Sequence, residues 1–370
     1  MPQQRFGNIP CTSSEGGVDC RGYMTAPTSA RKRRDPWLDN ARFVLIALVV
    51  FGHSLEPLLN THPWLDDCYR FVYTFHMPAF AFLSGAVSRA HVDGKLLRCT
   101  AFRLLWPYLV FQGLYALAAM SPAWPDDGPG SVTTPYWLLW YLLSLACWRA
   151  LLPLFAHLRH RLLIAIAVAM LAGCFDDIGY YLSLSRTLVF FPLFLMGWMW
   201  APRWRRRSGT WPIRMLAVGT LAVVFVAVAR IKPDPGWLYG SYSYSALGAD
   251  LLPGVGIRLL LLCAAIACTL AFLSLIPHRH TVFSGPGSRS LGAYVLQGFV
   301  IKFAVGGSLF AALARGSGGW LMPLLLLLSV MVTLVLSSTL LQRLLNPVTA
   351  PRWLEHVLWQ DSATHAHDTS

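Results

Sequence analysis

The chain has 370 residues, of which 55% are hydrophobic and 13% charged, and its formal net charge is +13. This composition excludes an ordinary soluble globular protein, because apolar runs recur along most of the length. The basic residues cluster between the apolar runs, as the positive-inside rule produces, so we expect a lipid bilayer and no nucleic acid as partner.

The first 34 residues are polar, and we expect residues 1–34 to form a disordered basic tail. Met24 is a plausible true start, in which case residues 1–23 are an artefact of the assigned start. No signal peptide is expected, because the first apolar stretch is too long for one. An integral-membrane domain over residues 35–345 and a cytoplasmic tail over 346–370 complete the expected organisation.

Apolar runs of about 20 residues, the length that crosses a bilayer as a helix, can be counted along the chain. We place ten of them near residues 38–58, 69–88, 96–119, 135–154, 162–176, 187–201, 212–231, 255–276, 291–314 and 320–342. The fifth and sixth are short, and we expect them to be tilted, broken or extended by flanking residues. The sequence therefore predicts an all-α polytopic membrane protein with about ten transmembrane helices.

Loop charges predict the orientation of these helices. Basic segments such as Arg31–Arg34 and Arg203–Arg207 fall on one side if every run crosses the membrane. The opposite loops, including those with Asp126 and Asp176, are acidic or neutral. The positive-inside rule then places both termini in the cytoplasm.

The first apolar run contains four ionisable residues, Asp39, Arg42, His53 and Glu56. Ionisable groups are costly within a membrane, so they indicate a functional site by default. Arg42 and His53 are eleven positions apart, which returns a helix to within about 20° of the same face and separates them by about 16 Å. Asp39 and Glu56 fall within about 60° of His53, so the helix is predicted to carry a polar stripe.

The second run places another histidine, His76, within the membrane. Tyr73, His76 and Ser84 recur at helical spacing and share a face, and Ser84-Gly85 permits the close approach of another helix. One interpretation is a kinked helix in which His76 bonds a carbonyl group. The other is a second acid–base group.

Six segments together carry a family resemblance, and they are listed here in chain order: Asp39–His53, Phe75–Gly85, Leu104–Tyr108, Tyr136–Leu142, Arg186–Gly197 and Ser290–Gln297. They resemble the acyltransferase-3 family of membrane enzymes, and the branch they look most like is that of the fucose 4-O-acetylase-like proteins. The resemblance implies ten helices. It also implies transfer of an acyl group, usually acetyl from acetyl-CoA, to a carbohydrate hydroxyl.

A sugar hydroxyl is a poor nucleophile, so its acylation needs a base near neutral pH, and histidine is suited to this. His53 matches the histidine of the family's first helix, and we assign it as general base or transient acyl acceptor. Glu56 is expected to orient its ring, and His76 is a second-line catalytic group. The alternative for His53 is a histidine that only packs helices together.

The phosphates of acetyl-CoA call for arginine, which binds them in bidentate fashion. Arg42, Arg98 and Arg103 are the candidates. The family often has Arg-x-x-Arg before the Leu-Leu-x-Pro-Tyr segment; here Thr100 replaces the first arginine, and Arg98 lies off that register.

For the acceptor we name Asp39, on the stripe, Arg186, at the family position before the sixth run, and Trp237, in an aromatic outer loop. Interfacial aromatic and arginine side chains also serve as membrane anchors, which is the alternative interpretation. Gln297 stands where family members often have histidine, and Gln cannot exchange a proton at pH 7.

The sequence thus predicts a bacterial plasma-membrane O-acyltransferase that acts on a cell-surface or lipid-linked glycan. The alternatives are a transporter, whose stripe of charges would be an ion or substrate path, and a non-catalytic scaffold. The absence of a repeat relating the two halves disfavours the transporter. The eight cysteines form no C-x-x-C pair or Cys/His cluster, so no metal site is expected.

Overall fold

A computed structural model of the protein describes residues 35–90, 94–315 and 319–349. The predicted N-terminal tail, with Arg31–Arg34, and residues 350–370 lie outside this range. Over the described ranges the named elements are all helices and no strand is formed, which confirms the all-α prediction.

The first half of the described chain forms six helices: α1 Pro36–Leu55, α2 Pro63–Ala86, α3 Gly94–Ala119, α4 Trp140–His157, α5 Arg161–Leu171 and α6 Leu184–Arg207. Local sequence accounts for where α1 begins. The side chain of Asp35 accepts a hydrogen bond from the Trp37 amide at 3.1 Å, and Pro36 occupies the first turn.

The second half forms eight more: α7 Trp211–Ile231, α8 Pro235–Tyr239, α9 Leu251–Leu275, α10 Ser284–Gly287, α11 Ser290–Gly306, α12 Leu309–Arg315, α13 Leu321–Leu336 and α14 Thr339–Thr349. Two adjacent pairs are sharply bent, α11 with α12 by 64° and α13 with α14 by 61°.

Within the described ranges, five segments are long and apolar enough to cross a membrane: Pro36–Leu58, Trp137–His157, Tyr181–Arg207, Trp211–Ile231 and Leu251–Leu275. The number rises to seven if each bent pair is a single span. All ten predicted runs fall on helices, but α5 has only 11 residues, about 16 Å, and is too short to cross alone. Ten spans and two cytoplasmic termini stay predictions.

Helices α2 and α6 cross at two glycines. A Cβ atom on Gly85 would overlap the Phe194 carbonyl oxygen, and one on Gly197 would overlap that of Phe82. The close helix approach predicted at Ser84-Gly85 is therefore confirmed. The crossing fixes α2, which carries His76, against α6, which carries Arg186.

The bundle has two distinct ends along α1. At the end where α1 begins, which we call the basal end, Asp35 pairs with Arg205. There Asn40 donates to the carbonyl oxygens of Pro277 and Arg279, each at 3.0 Å. His53 lies in the last turn of α1 at the opposite end, which we call the site end.

Candidate active site

A cavity of about 170 Å³ opens at the site end and collects four of the predicted residues, His53, Glu56, His76 and Arg186. The complete lining is Val49, His53, Glu56, Tyr69, Tyr73, His76, Met77, Trp137, Leu138, Trp140, Tyr180, Arg186, Phe190, Leu238, Tyr239 and Tyr294. Helices α1, α2, α4, α6 and α11 all contribute to it. Residues that are far apart in the sequence therefore meet in one aromatic-walled chamber.

His53 is the centre of this cavity's polar network. Its Nδ1 lies 3.5 Å from Glu56 Oε2, one helical turn further on, and 3.3 Å from the Tyr73 hydroxyl. Only 12% of the His53 side chain is exposed, against 43% for Glu56. Since a carboxylate only accepts hydrogen bonds, the bond to Glu56 places a proton on Nδ1 and leaves the Nε2 lone pair to act as a base.

Trp137, which the sequence analysis did not single out, packs on His53 with ring centroids 4.3 Å apart. Its backbone φ is 42°, a left-handed conformation that is unfavourable for a bulky residue. The ammonium group of Lys302 lies 4.6 Å from the Trp137 ring centroid. Trp137 is thus held between His53 and a cation.

Asp126 anchors the loop that leads to Trp137. Its carboxylate accepts hydrogen bonds from Lys302 at 2.6 Å and from the Tyr136 hydroxyl at 2.7 Å. Partial burial acts to raise the pKa of Asp126, but the hydrogen bonds from Lys302 and Tyr136 outweigh it and hold the pKa below its usual range. The carboxylate therefore stays charged and keeps Tyr136 and its neighbour Trp137 in place.

His76 is hydrogen-bonded within α2 and also borders the cavity, so its role as an acid–base group stays a prediction. It is buried, and its Nδ1 donates to the Val72 carbonyl at 2.8 Å, as the kinked-helix interpretation expects. It also lines the cavity and packs edge-on against Tyr73, with ring centroids 4.7 Å apart. Because Nδ1 carries the proton, Nε2 is the nitrogen left to accept one.

Arg186 is positioned by aromatic rings. Its guanidinium carbon lies 5.1 Å from the ring centroids of both Trp140 and Tyr180. Its Nε donates to the Tyr239 carbonyl at 3.3 Å, and Nη2 contacts Ser241 Oγ at 3.4 Å. Among the described ion pairs, none joins a carboxylate to Arg186, so its charge is available to a developing oxyanion.

Arg42, one of the arginines expected to bind the donor, lies in the half of α1 nearer the basal end. Arg42 pairs with Asp39 at 3.3 Å, so Asp39, predicted to bind substrate, holds Arg42 instead of lining the cavity. Arg149 on α4 lies close enough to Arg42 and Arg103 for their positive charges to repel its own. Arg98 lies in the first turns of α3, but its side chain is outside what the structure describes. Arg149 was not singled out from the sequence, although this ionisable residue falls inside the fourth apolar run, 135–154, which is the signal that could have found it.

Two other named residues lie away from the cavity. Trp237 lines a smaller neighbouring cavity of about 40 Å³ together with Arg258, so the structure does not bring it to His53. Gln297 on α11 is fully buried, and neither atom of its amide group has a hydrogen-bond partner among the described residues.

Similarity to known proteins identifies the family to which the chain belongs. The family described as an acyltransferase domain, Acyl_transf_3, matches residues 35–342. The chain belongs to this acyltransferase family. The expected family is thus confirmed, and the protein is a membrane O-acyltransferase. The match identifies the family but not the fucose 4-O-acetylase-like branch within it.

Two nodulation proteins NolL are similar to the chain at low identity. That of Mesorhizobium japonicum is 25% identical over 317 residues, which cover 80% of each chain. That of Sinorhizobium fredii is 24% identical over 318 residues, which cover 78% of this chain and 83% of the relative. No solved structure matches the chain.

Proposed function

We propose that this acyltransferase moves an acetyl group from acetyl-CoA to a hydroxyl of a cell-surface or lipid-linked carbohydrate, at the bacterial plasma membrane. We place it in the fucose 4-O-acetylase-like branch. The observation that carries the proposal is one aromatic-walled cavity that holds the His53–Glu56 pair and Arg186.

The reaction follows from these positions. Nε2 of His53 takes the proton of the acceptor hydroxyl as its oxygen attacks the thioester carbonyl carbon. Arg186 stabilises the negative charge that develops on the carbonyl oxygen. The carbon–sulfur bond then breaks, and the imidazolium of His53 returns the proton to the departing thiolate of CoA. Glu56 holds the ring in the required tautomer throughout.

The donor's phosphates need a separate set of groups, because the described residues that line the cavity include one arginine, Arg186, and no lysine. Arg42, Arg103 and Arg149 supply three guanidinium groups in one region, with Asp39 holding the first. Arginine forms bidentate hydrogen bonds with phosphate oxygens, which makes this region the proposed site for the charged end of CoA. We assign Arg98, at the start of α3, to the same site.

A deletion strain tests the proposal. Mass spectrometry of its surface glycans should show the loss of one acetyl group, which returns when the intact gene is supplied. His53→Ala, at equal protein level in the membrane, should not restore the group. His160→Ala, an exposed histidine, is the matched control and should restore it.

Two results separate the parts of the proposal. Restoration by His53→Ala means that His53 is not the base. Surface glycans that are unchanged by the deletion mean that the acceptor class is wrong.

A further inference from the structure

A second, open cleft of about 540 Å³ lies next to the cavity that contains His53, which we call the reaction cavity. Two loops form it: the loop between α5 and α6, over residues 176–181, and the loop after α8, over residues 241–246. Tyr180 lines both this cleft and the reaction cavity. Because Arg186 stacks on the same Tyr180 ring, that residue is the boundary between the two spaces.

The two loops are tied to each other and to the bundle. The Tyr180 and Tyr242 hydroxyl groups are 3.2 Å apart, and their rings meet edge to face at 5.8 Å. The amide of Leu182 donates to the Thr133 carbonyl at 2.7 Å. A cleft held in this way exists before a ligand arrives, so binding does not require the loops to be ordered first.

The cleft is lined by acidic, hydroxyl and aromatic groups, which are the groups that can bind an uncharged sugar. It offers the carboxylates of Asp176 and Asp177, the exposed Ser245, and the tyrosines Tyr180 and Tyr181, which are 41% and 52% exposed. Hydrogen bonds from Ser243 and Ser245 lower the pKa of Asp176, so this group is a carboxylate at neutral pH.

The charge of the lining also excludes other ligands. None of the described residues that line the cleft is Lys or Arg, so among them the phosphates of the donor would meet two negative charges and no positive one. A metal ion is disfavoured as well, because the described residues contain no group of three or more His, Cys, Asp or Glu placed to hold one. A pyranose suits the cleft, since its hydroxyls donate to carboxylates and its C–H face packs on an aromatic ring.

We propose that this acceptor cleft binds the sugar unit next to the one that is acylated, so that the acceptor is an oligosaccharide or a glycan chain. The inference rests on the proposed function and deepens it. The volume of the cleft lies in the range of about 300–1,000 Å³ that small-ligand sites occupy. A chain that passes Tyr180 places one unit in the cleft and the next in reach of His53.

A glycan array tests the cleft directly, with the full-length protein in lipid nanodiscs. The intact protein should bind oligosaccharides of two or more sugar units. Tyr181→Ala and Asp177→Asn should each weaken that binding by about tenfold, the effect of losing one hydrogen bond to a charged group or one stacking face. Trp211→Ala and Asp127→Asn, which alter exposed residues elsewhere, are the matched controls and should bind as the intact protein does.

The cleft is overturned if intact protein binds no glycan of two or more units, or if the two cleft variants bind as tightly as the controls. Circular dichroism of each nanodisc sample establishes that the variants are folded. Transfer from labelled acetyl-CoA to the best-bound glycan then separates the two proposals. If binding depends on Tyr181 but the intact protein transfers no acetyl group, the proposed function alone is refuted. If both cleft variants transfer acetyl with an unchanged KM for the glycan, the cleft proposal alone is refuted.

Discussion

Glu56→Gln is the most direct test of how the site works, because it removes the charge that orients His53 and keeps the shape. A hydrogen bond to a charged group contributes about 1.5–3 kcal/mol. The 3.5 Å separation and the 43% exposure of the Glu56 side chain reduce this to about 1–2 kcal/mol. Since about 1.36 kcal/mol is a tenfold change in rate, we expect kcat to fall about 5- to 30-fold.

The assay is transfer of labelled acetyl from acetyl-CoA to the acceptor, with the enzyme in nanodiscs. The KM for acetyl-CoA should stay within about twofold, because Glu56 lies far along α1 from Arg42 and the other arginines that we propose bind the donor. Asp127→Asn makes the same change to an exposed carboxylate and should leave kcat unaltered. An unchanged kcat in Glu56→Gln would show that the carboxylate does not orient the base, and a loss above about 1,000-fold would make it a participant in the chemistry.

The glycine crossing, the Asp126 loop and the arginine region each give a measurable result. Gly85→Ala should lower the free energy of unfolding by about 1–3 kcal/mol through overpacking, measured by thermal denaturation, whereas Gly219→Ala meets no atom within 4 Å and should change it by less than about 1 kcal/mol. Asp126→Asn should cost about 1 kcal/mol, discounted for the 38% exposure of the carboxylate. Because the pKa of Asp126 is lowered by folding, this difference between the two proteins should be complete above the ordinary pKa near 4 and disappear as the pH falls through the folded pKa; a difference that persists in acid would exclude the charge as its cause. Arg149→Ala should raise the KM for acetyl-CoA about tenfold with kcat unchanged, and a normal KM would remove Arg149 from the donor site.

The parts of the site that could be predicted from sequence are those set by helix periodicity. His53 and Glu56 are three positions apart near the end of α1, and Tyr73 and His76 are three positions apart on α2. A regular helix places such pairs on one face whatever surrounds them. The polar stripe and the shared face of the second run therefore predicted which side chains would meet.

The parts that could not be predicted depend on contacts between distant segments. Trp137 reaches His53 through a strained backbone that Asp126 and Lys302 hold in place from other parts of the chain. Trp237 was expected at the acceptor, but the short helix α8 directs it to the smaller cavity, where its ring lies 6.2 Å from that of Tyr244. Loop conformation decides both positions, and a sequence pattern does not encode it.

The number of spans shows a different difficulty. Hydropathy identified all ten apolar runs, and each is helical, but composition does not tell whether a run crosses the bilayer or bends within it. The break after α11 contains Ser308, whose φ is 63°. The break after α13 lies at its C-cap residue, Ser337. Irregular backbone of this kind is tolerated at membrane depth only where the protein surrounds it or where it lines a water-filled cavity.

The separation of charges along α1 has a mechanistic consequence. Phosphates are costly to bury in hydrocarbon, so the charged end of CoA is best held by the arginines around Arg42. The pantetheine arm of CoA carries no charge. It is the part of the donor that can extend along α1 from Arg42 to His53, a distance of about 16 Å. In the proposed reaction the carbohydrate meets it from the opposite end, where the walls are aromatic and the cleft beyond Tyr180 is acidic. One helix can therefore serve two substrates of opposite chemistry, because their polar parts never need to occupy the same place.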